Sequence, residues 1–574
     1  MVKGLVMNQQ GNRSETVLLV AANSHDDRNL DAMKAMKAKK SAHALPPLGT
    51  VYVATYAQRN GWTVELLDAE RDLLSEEETV QEVLARLPDG GFVGWTTWIT
   101  TINKVVRIGE QIKLRCPSIK QFLGGPHMSA VPIKTMERFG HIFPYGIVGE
   151  GELVTDILLR HWGDIAYLSD VPGIVCYDAG TLRFKKDKRR GYTATPKFAL
   201  KAIESGKEID ELHDDAVDEG VAEVYWPMHA ERIEDVNQIA IPKYEFLGDL
   251  SCYHLSEFTP PEGEHQMSMI TSRGCPYTCS FCDQEVSGHN WRGLTPKNTI
   301  AHMLYLKRLG IDYLYLTDDL YLVRLDDVEE TAKLILKTPE LHHIRWEAIT
   351  RINLVLKAAR TEVSYEGRSM NLLQLIRKAG CVQLHVAPET GNQQLRFETV
   401  FKRITNAEVV AAIEAMAQVG ISAKLLNMVG LPGETPEITL ETLEFIKTLG
   451  EHGTAYGMIS VFTPLPTTPA AQMIERGLLK WTGDLDNWDM MNLGTPAGIF
   501  QSDMRGQEVD ATPEHILMAA RGKHKLGTLV GERERSGGLT IEDKIGRVRK
   551  LVDDYRTTHP IRFSKKTLHV LPTN

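Results

Sequence analysis

Three cysteines, Cys275, Cys279 and Cys282, lie close together in the segment 272–282, which reads SRGCPYTCSFC. Their spacing is CxxxCxxC, with an aromatic residue directly before the last cysteine. Three thiolates at this spacing can hold three corners of a [4Fe–4S] cluster. No fourth cysteine stands at ligand spacing, so one iron would keep an open coordination position. An open iron can bind a substrate or cofactor, which distinguishes such a site from a fully ligated electron-transfer cluster.

Zinc is the main alternative ligand for these thiols, because Cys-x-x-Cys is its commonest spacing. A structural zinc site needs a fourth ligand, and the nearest candidate, His289, has no partner at zinc-finger spacing. Disulfides are disfavoured, since seven cysteines in 574 residues are sparse and odd in number. The apolar stretch from Met267 to Ile270 predicts a strand that leads into the cysteine loop.

Composition limits the class of protein. A chain of 574 residues predicts more than one domain, and a net charge of −10 argues against a nucleic-acid partner. The longest apolar runs, such as 17–22, are too short to span a bilayer, so we expect no transmembrane segment. The N-terminus lacks the apolar core of a signal peptide. An oxygen-sensitive cluster and reduced thiols then predict a cytoplasmic location.

The first part of the chain alternates strands with helices. Short apolar runs at 17–22, 63–67, 92–95, 121–123 and 146–148 predict strands, and the stretches between them, such as 81–87, predict helices. This order predicts a doubly wound α/β domain of the flavodoxin-like type, with a parallel sheet covered by helices on both faces. In such sheets, ligands bind at the carboxyl ends of the strands.

Those strand ends carry glycine-rich segments that let the backbone approach a bulky ligand. Their order and spacing, over about 14–165, resemble the cobalamin-binding domain that precedes many radical S-adenosylmethionine (SAM) cores. By this resemblance, the cobalamin-binding residues are Pro47, Gly49, Thr96, Thr97, Gly124, Gly125, Pro126, His127, Gly149, Glu150 and Gly151.

The loop after the first strand differs from the pattern of many cobalamin domains. Those domains carry Asp-x-His-x-x-Gly, whose histidine ligates cobalt, whereas here His25 follows Asn23 and Arg28 replaces the glycine. The carboxylate that would orient the imidazole is therefore missing from the motif. We expect cobalamin to bind without a protein histidine, and ligation by His25 stays the alternative.

The remaining chain divides into three parts. The segment 166–262 is a connector, with an acidic and exposed stretch at 204–223. In 263–477, six strand–helix units predict an open (β/α)6 partial barrel. Barrels of this type place their chemistry at the carboxyl ends of the strands. The tail, 478–574, predicts a mainly helical cover over the open side of the barrel.

The strand ends of the barrel present a small set of polar residues. Asp318 and Asp319 could cap the next helix, and Glu389 could be an acid at a helix N-terminus. Taken together with the cysteine loop, their order resembles cobalamin-dependent radical SAM enzymes over about 14–470. That family implies that Asp318 and Asp319 bind the SAM amino group and that Glu389 binds the ribose. It further implies that Arg351 binds the SAM carboxylate or the substrate, and that Phe281 and Gly430 lie against the adenine.

The resemblance implies three cofactors, namely a [4Fe–4S] cluster, SAM and cobalamin. It also implies a C-methyltransferase, in which a 5′-deoxyadenosyl radical activates an unactivated carbon and methylcobalamin supplies the methyl group. The expected partners are a small-molecule substrate, with a lipid or natural-product intermediate favoured, and an electron donor such as flavodoxin or ferredoxin.

Two other functions stay open. The same cofactors also serve oxidative ring closure and rearrangement without methyl transfer. Alternatively, the N-terminal domain has lost cobalamin and binds a partner, although its intact glycine segments count against this. A methylthiotransferase acting on transfer RNA is disfavoured, because the sequence shows neither an extra N-terminal cluster nor a basic RNA-binding module.

Overall fold

The structure is a computed structural model of the 574-residue chain. It describes residues 15–25, 27–31, 34–35, 45–88, 90–187, 226–253, 265–452, 454–475, 477, 479–488, 491, 498–504, 507–525 and 540–559. The acidic stretch predicted at 204–223 lies outside the described residues.

The chain forms two compact units. Unit 1 comprises Met1–Tyr192, Gly220–Cys275 and Gln284–Tyr315. Unit 2 comprises Thr193–Glu219, Pro276–Asp283 and Leu316–Asn574.

Unit 1 contains a seven-stranded sheet of order β2-β1-β3-β4-β5-β6-β7. Its strands are β1 (Thr16–Ala21), β2 (Thr63–Asp68), β3 (Gly91–Thr96), β4 (Ile119–Gly124), β5 (Tyr145–Ile147), β6 (Ile174–Asp178) and β7 (Thr181–Phe184). The first five are parallel, and β1 and β3 are apolar and almost fully buried because helices cover both faces. The predicted flavodoxin-like domain is therefore confirmed.

Eight helices accompany this sheet in the described residues. They are α1 (Leu48–Arg59), α2 (Ala69–Asp72), α3 (Glu76–Arg86), α4 (Ile102–Arg115), α5 (Pro126–Ala130), α6 (Pro132–Phe139), α7 (Gly151–Arg160) and α8 (Ile165–Leu168). Local sequence explains several boundaries: Ser75 and Glu78, for example, form a capping box at the start of α3.

The sheet continues beyond the predicted domain boundary at residue 165. Strands β6 and β7 form an antiparallel hairpin at its edge. The hairpin turns at Ala179 and Gly180, whose φ angles of 47° and 88° both lie in the left-handed region, as a two-residue turn of type I′ requires. The predicted connector therefore begins later than the sequence indicates.

Unit 1 also contains the segments on either side of the cysteine loop in the sequence. Its strands are β8 (Lys186–Asp187), β9 (Trp226–Pro227), β10 (Gln266–Met269), β11 (Ser272–Arg273), β12 (Arg292–Gly293) and β13 (Tyr313–Leu316), with α9 (Pro296–Arg308) before β13. Short 3₁₀ helices occupy Asp27–Asn29, Val236–Gln238, Tyr244–Leu247 and Leu250–Cys252. Strand β11 pairs antiparallel with β12, which brings the two ends of the cysteine segment together.

Unit 2 is built on four parallel neighbours, β14 (Arg345–Thr350), β17 (Cys381–Glu389), β18 (Ser422–Val429) and β19 (Thr454–Val461). Its other strands are β15 (Glu362–Tyr365), β16 (Arg368–Asn371) and β20 (Gly522–Lys525). Its helices are α10 (Leu325–Lys337), α11 (Ile352–Arg360), α12 (Leu372–Lys378), α13 (Gln393–Glu398), α14 (Asn406–Gln418), α15 (Pro436–Glu451), α16 (Pro469–Glu475), α17 (Glu514–Ala520) and α18 (Ile541–Thr558), with a 3₁₀ turn at Pro339–Leu341.

All six predicted barrel strands are present, as β10, β13, β14, β17, β18 and β19, and the open partial barrel is confirmed. Two features were not predicted. Strands β15 and β16 form a hairpin between α11 and α12. In the tail, β20 pairs antiparallel with β19, so the tail supplies a strand as well as helices. None of the helices in the described ranges combines the length and apolarity needed to cross a bilayer.

Candidate active site

The cysteine loop carries three half-buried thiols. None of the seven cysteines is in a disulfide. In unit 1, the Cys275 N–H donates to the carbonyl of Gly288 at 3.1 Å. The residue before it, Gly274, has a φ of +87°, and a Cβ there would lie 2.4 Å from the carbonyl oxygen of Asn290. Glycine is therefore required at the entrance to the loop.

In unit 2, a cationic side chain lies against the other two cysteines' segment. The Cys282 N–H donates to the Cys279 carbonyl at 3.1 Å, which closes a tight turn. The Arg351 guanidinium lies 3.7 Å from Cys279 Sγ and 3.5 Å from the centre of the Tyr277 ring. These two contacts hold the Arg351 side chain against the loop that carries Cys279.

The donor set of the loop fits an iron–sulfur cluster in its chemistry. Within the described ranges, no three His, Cys, Asp or Glu side chains converge closely enough to hold a metal ion. Three thiols in one loop, none of them in a disulfide, are nevertheless the ligands that a [4Fe–4S] cluster takes.

Glu389 has an unusual backbone conformation for a residue with a side chain. It ends β17 with a φ of +67°, and only 4% of its surface is exposed. Such a conformation costs of the order of 1–3 kcal/mol and is typical of functional sites. Helix α13 begins later, with Asn392 as its N-cap, so the alternative role as a helix-terminal acid is wrong.

Lys402 is the partner of Glu389 and was not predicted. Its buried Nζ pairs with the Glu389 carboxylate and donates to the Ala387 carbonyl at 3.1 Å. The same ammonium lies 5.8 Å from the centre of the Phe281 ring. Two predicted SAM-binding residues, Glu389 and Phe281, are thus linked through one lysine. Sequence offers no signal for it, because the lysine follows thirteen residues later on an irregular loop.

Asp318 and Asp319 follow β13 and differ in environment. Asp318 is buried, whereas Asp319 is exposed. Helix α10 begins only at Leu325, and its N-cap position is Arg324, so the alternative role of the two aspartates as caps of the next helix is wrong. Burial and the nearby Asp318 raise the pKa of Tyr321 well above its ordinary value, which places a neutral phenol beside this carboxylate.

The loop after β18 is held by a buried acid. Gly430 has a φ of +82°, and Glu434 accepts a hydrogen bond from the Leu431 N–H at 3.1 Å and another from the Thr439 hydroxyl. Burial raises the pKa of Glu434 to about 7, although these hydrogen bonds oppose the shift. The carboxyl group therefore sets the shape of the loop that contains the predicted adenine contact, Gly430.

In unit 1, the open positions of the predicted cobalamin set are glycines and prolines, with Thr96 as the one polar side chain among them. Gly49 has no atom within 4 Å of a hypothetical Cβ, and Gly124 has none nearer than 3.9 Å. Gly125 differs, since a Cβ there would lie 2.6 Å from the Thr97 nitrogen. The partly exposed members of the set are Pro47, Gly49, Thr96, Gly124, Gly125, Pro126, Gly149 and Gly151. This surface can therefore receive a large, flat ligand against backbone.

The buried polar members of that set make contacts within the protein. The Thr97 hydroxyl donates to the Gly124 carbonyl at 2.7 Å. His127 lies 3.1 Å from the Thr135 hydroxyl through Nε2, and burial lowers its pKa to about 3, so the ring is neutral. The Thr97 side chain thus ties the ends of β3 and β4 together, and the His127 side chain ties α5 to α6. Trp98, which directly follows Thr97, is 56% exposed and was not predicted as a ligand contact.

Glu150 belongs to a buried network of charges in unit 1. Its carboxylate oxygens lie 2.7 and 3.1 Å from the Arg292 guanidinium nitrogens. Arg273 lies 3.4 Å from Glu150 and 2.6 Å from Glu152. Burial alone would raise the pKa of Glu150, but the two arginines lower it below its ordinary value. Because Arg273 stands two residues before Cys275, the network ties the end of the first sheet to the start of the cysteine loop.

The His25 loop contains a carboxylate that the sequence pattern did not indicate. His25 Nε2 lies 3.1 Å from the Glu70 carboxylate. The backbone N–H of His25 donates to the Asn23 side chain at 2.9 Å. The hydrogen bond to Glu70 raises the pKa of His25, although burial opposes it. The expectation that no carboxylate orients this imidazole is therefore wrong, because Glu70 approaches from the end of β2.

We predict that the Arg292 network stabilises unit 1. Arg292→Met leaves the Glu150 carboxylate buried without its main partner, which should lower the free energy of unfolding by about 3–5 kcal/mol. The double variant Glu150→Met/Arg292→Met should recover much of this loss, since no lone charge stays buried.

Urea unfolding followed by tryptophan fluorescence measures both variants. Arg324→Met, which removes an ion pair from a 61% exposed arginine, should cost less than 1 kcal/mol. Equal losses in the single and double variants would contradict this account.

We predict that Glu434 makes stability depend on pH. Its pKa is about 7 in the folded protein against an ordinary value of 4.5, so its stabilisation is complete below about pH 4.5 and is lost as the pH rises to 7. Glu434→Gln mimics the protonated acid. The stability difference between this variant and the wild type should therefore grow between pH 5 and pH 8, by at most about 3 kcal/mol. Thermal unfolding at several pH values measures it. Glu451→Gln, at an exposed acid on α15, is the control, and a difference that does not vary with pH would refute the prediction.

Two family models match the chain in the order that the fold indicates. The B12 binding domain matches residues 37–159, and the radical SAM superfamily matches residues 269–446. The first range covers most of the parallel sheet of unit 1, and the second contains the three cysteines.

Curated relatives and solved structures extend the similarity to most of the chain. An anaerobic magnesium-protoporphyrin IX monomethyl ester cyclase from Rubrivivax gelatinosus is 25% identical over 73% of this chain, which spans 65% of the cyclase. An uncharacterized methyltransferase, PH0819, from Pyrococcus horikoshii is 23% identical over 74% of this chain and 77% of its own length.

One solved structure with a similar fold is that of TsrM, a radical S-adenosylmethionine methyltransferase from Kitasatospora setae, with tryptophan and a SAM analog bound. The matched region covers 82% of this chain and 79% of the TsrM chain. The TM-score is 0.56 at 18% identity, which shows a shared fold. TsrM was also solved with cobalamin and a [4Fe–4S] cluster. The family matches and the cysteine loop together imply the same three cofactors here, and the chain belongs to the radical SAM enzymes that carry an N-terminal B12 binding domain.

Proposed function

We propose that the protein is a cobalamin-dependent C-methyltransferase that methylates an unactivated carbon of a small molecule. The observation that carries this proposal is the pairing of an open glycine-lined surface at the ends of the unit 1 strands with a three-cysteine loop. When bound, the cluster would cleave SAM to a 5′-deoxyadenosyl radical, and cobalamin would carry the methyl group. The similarity to relatives named as methyltransferases or methylases supports this reaction.

Residues of unit 2 would hold SAM. Glu389, oriented by Lys402, would accept hydrogen bonds from the ribose hydroxyls. Asp318 and Asp319 would bind the ammonium group, and Arg351, beside Cys279, would pair with the SAM carboxylate. Phe281 packs on the apolar cluster that includes Leu431 and Phe462, and with Gly430 it would form the adenine contact.

In unit 1, backbone at the strand ends would bind cobalamin, while Thr97, His127 and Glu150 would support that surface from behind. We propose that cobalamin binds without a protein histidine, because the His25 loop has Asn23 and Arg28 where the Asp-x-His-x-x-Gly pattern has its aspartate and glycine. Reduction of the cluster requires an electron donor such as flavodoxin or ferredoxin, and the reducing cytoplasm is the compartment that suits these thiols.

Oxidative ring closure is the second candidate function. It is favoured by one observation, the 25% identity to the anaerobic cyclase of Rubrivivax gelatinosus over 433 residues. That reaction would use the same cofactors and transfer no methyl group.

The fate of SAM separates the two functions without a known substrate. We predict that the anaerobic, cofactor-loaded enzyme with SAM and a low-potential reductant forms S-adenosylhomocysteine in roughly stoichiometric amounts, because bound cobalamin, once reduced, would take one methyl group from SAM. Liquid chromatography with mass spectrometry measures this product and 5′-deoxyadenosine. Protein loaded with the cluster but not cobalamin is the control and should form no S-adenosylhomocysteine. Formation of 5′-deoxyadenosine alone by the fully loaded enzyme would favour ring closure instead.

SAM binding tests the assignment of Glu389. Glu389→Gln removes the negative charge from a hydrogen bond to the ribose, so SAM affinity should fall about 10-fold to 100-fold. Equilibrium dialysis with the cluster-loaded protein measures the change. The control is Glu398→Gln, at a half-buried acid on α13 outside the proposed site, which should bind SAM as the wild type does. Unchanged affinity in Glu389→Gln would remove this residue from the SAM site.

A further inference from the structure

The parallel sheet of unit 2 has one apolar face and one polar face. Its apolar face includes Trp346, Ala348, Leu384, Val386 and Leu425, which are at most 1% exposed. Helices α11 and α12 pack against β17, α14 packs against β18, and α15 packs against β19. This is the outer face of the partial barrel, and its burial needs no ligand.

The opposite, inner face is polar at its centre. Glu347 is in register with Gln383, and His385 is in register with Lys424. Because side chains alternate along a strand and paired residues of parallel strands share a face, these four side chains lie on the same side of the sheet. Glu347, Gln383 and His385 are each only 1% exposed.

One pair within this group is complete. His385 Nε2 lies 3.0 Å from Glu347 Oε2. Burial lowers the pKa of His385 although Glu347 opposes this, so the neutral ring donates its N–H to the carboxylate. His385 thereby holds Glu347 in place and leaves the second carboxylate oxygen, Oε1, directed elsewhere.

Three polar atoms of this face have no hydrogen-bond partner among the described residues. They are Glu347 Oε1 and both the oxygen and the nitrogen of the Gln383 amide. Each buried polar atom without a partner costs about 1–3 kcal/mol, so natural folds rarely leave three of them on neighbouring strands. Together they present two acceptors and a donor.

The neighbouring positions on this face are partly open. Lys424, Leu426 and Met458 are half-buried, whereas the outward-facing residues between them on β18 are buried. Lys424 places a positive charge on the same face of the sheet as the Glu347 carboxylate. The arrangement therefore suits an uncharged group that presents a hydrogen-bond donor beside an acceptor, as a carboxamide or a hydroxyl does.

We propose that Glu347 and Gln383 bind such a group of the substrate on the inner face of the barrel, with His385 as the residue that positions Glu347. This assignment rests on the proposed function only in calling the ligand a substrate. A donor on the ligand would reach Glu347 Oε1, and an acceptor would receive the Gln383 N–H.

Acetamide is a small probe of this site, and methyl acetate matches its shape without the donor. Saturation-transfer NMR on the cofactor-loaded enzyme should give an acetamide signal at least fivefold stronger than that of methyl acetate. The nearly isosteric variant Gln383→Met should reduce the acetamide signal to that of methyl acetate. Equal signals from both probes in the wild type would overturn the proposal, and this comparison requires no variant to fold.

Stability separates a ligand-binding role of Gln383 from a structural one. Gln121, a buried glutamine on β4, is the matched control, because its amide donates to Gly109 and accepts from Trp95. Gln383→Met should leave the melting temperature unchanged or raise it, whereas Gln121→Met should lower it. A comparable loss in both variants would mean that Gln383 is held by internal contacts, and would overturn the proposal. Neither readout depends on methyl transfer, so failure of the proposed reaction would leave both results intact.

Discussion

Pairing of buried charge is the constraint on which the two units depend. Parallel strands end at one edge of a sheet, and chemistry places acidic side chains there, where helices and loops exclude water. A buried carboxylate without a partner is too costly to keep. Three buried acids at these edges are stabilised in different ways: Glu150 has two arginines, Glu389 has a lysine, and Glu434 has hydrogen bonds and a raised pKa.

The two units differ in which part of the chain is available to a ligand, backbone in unit 1 and charged side chains in unit 2. In unit 1, the surface open to a ligand is mainly glycine and proline. The side chains of Thr97 and His127 make hydrogen bonds within the protein instead. In unit 2, charged side chains remain at the rim, and Glu389 accepts an unfavourable backbone conformation to be there. A large ligand with many contacts needs a shaped surface, whereas a small charged one needs individually placed groups.

The sequence predicts this organisation well where the signal is local. Cysteine spacing, glycine segments and the alternation of strands and helices identify both folds, because each depends on a few adjacent residues. The edge hairpin β6–β7 and the last strand β20 were missed, since each is short and pairs only after the rest of its sheet exists. Partners such as Arg292 for Glu150, 142 residues apart in the chain, arise from the fold and have no local pattern. Lys402 and Glu70 were missed for the same reason.

The late position of β20 has a consequence for how the chain can be divided. It covers the free edge of β19, yet sixty residues separate the two strands in the sequence. An exposed edge strand offers unpaired backbone groups to any other strand it meets, which promotes aggregation. A shortened protein that ends after the sixth barrel strand would keep every residue of the predicted cofactor sites and still lose the cover of that edge. The boundary of a usable fragment is therefore set by sheet closure at Gly522–Lys525 rather than by the end of the catalytic motifs.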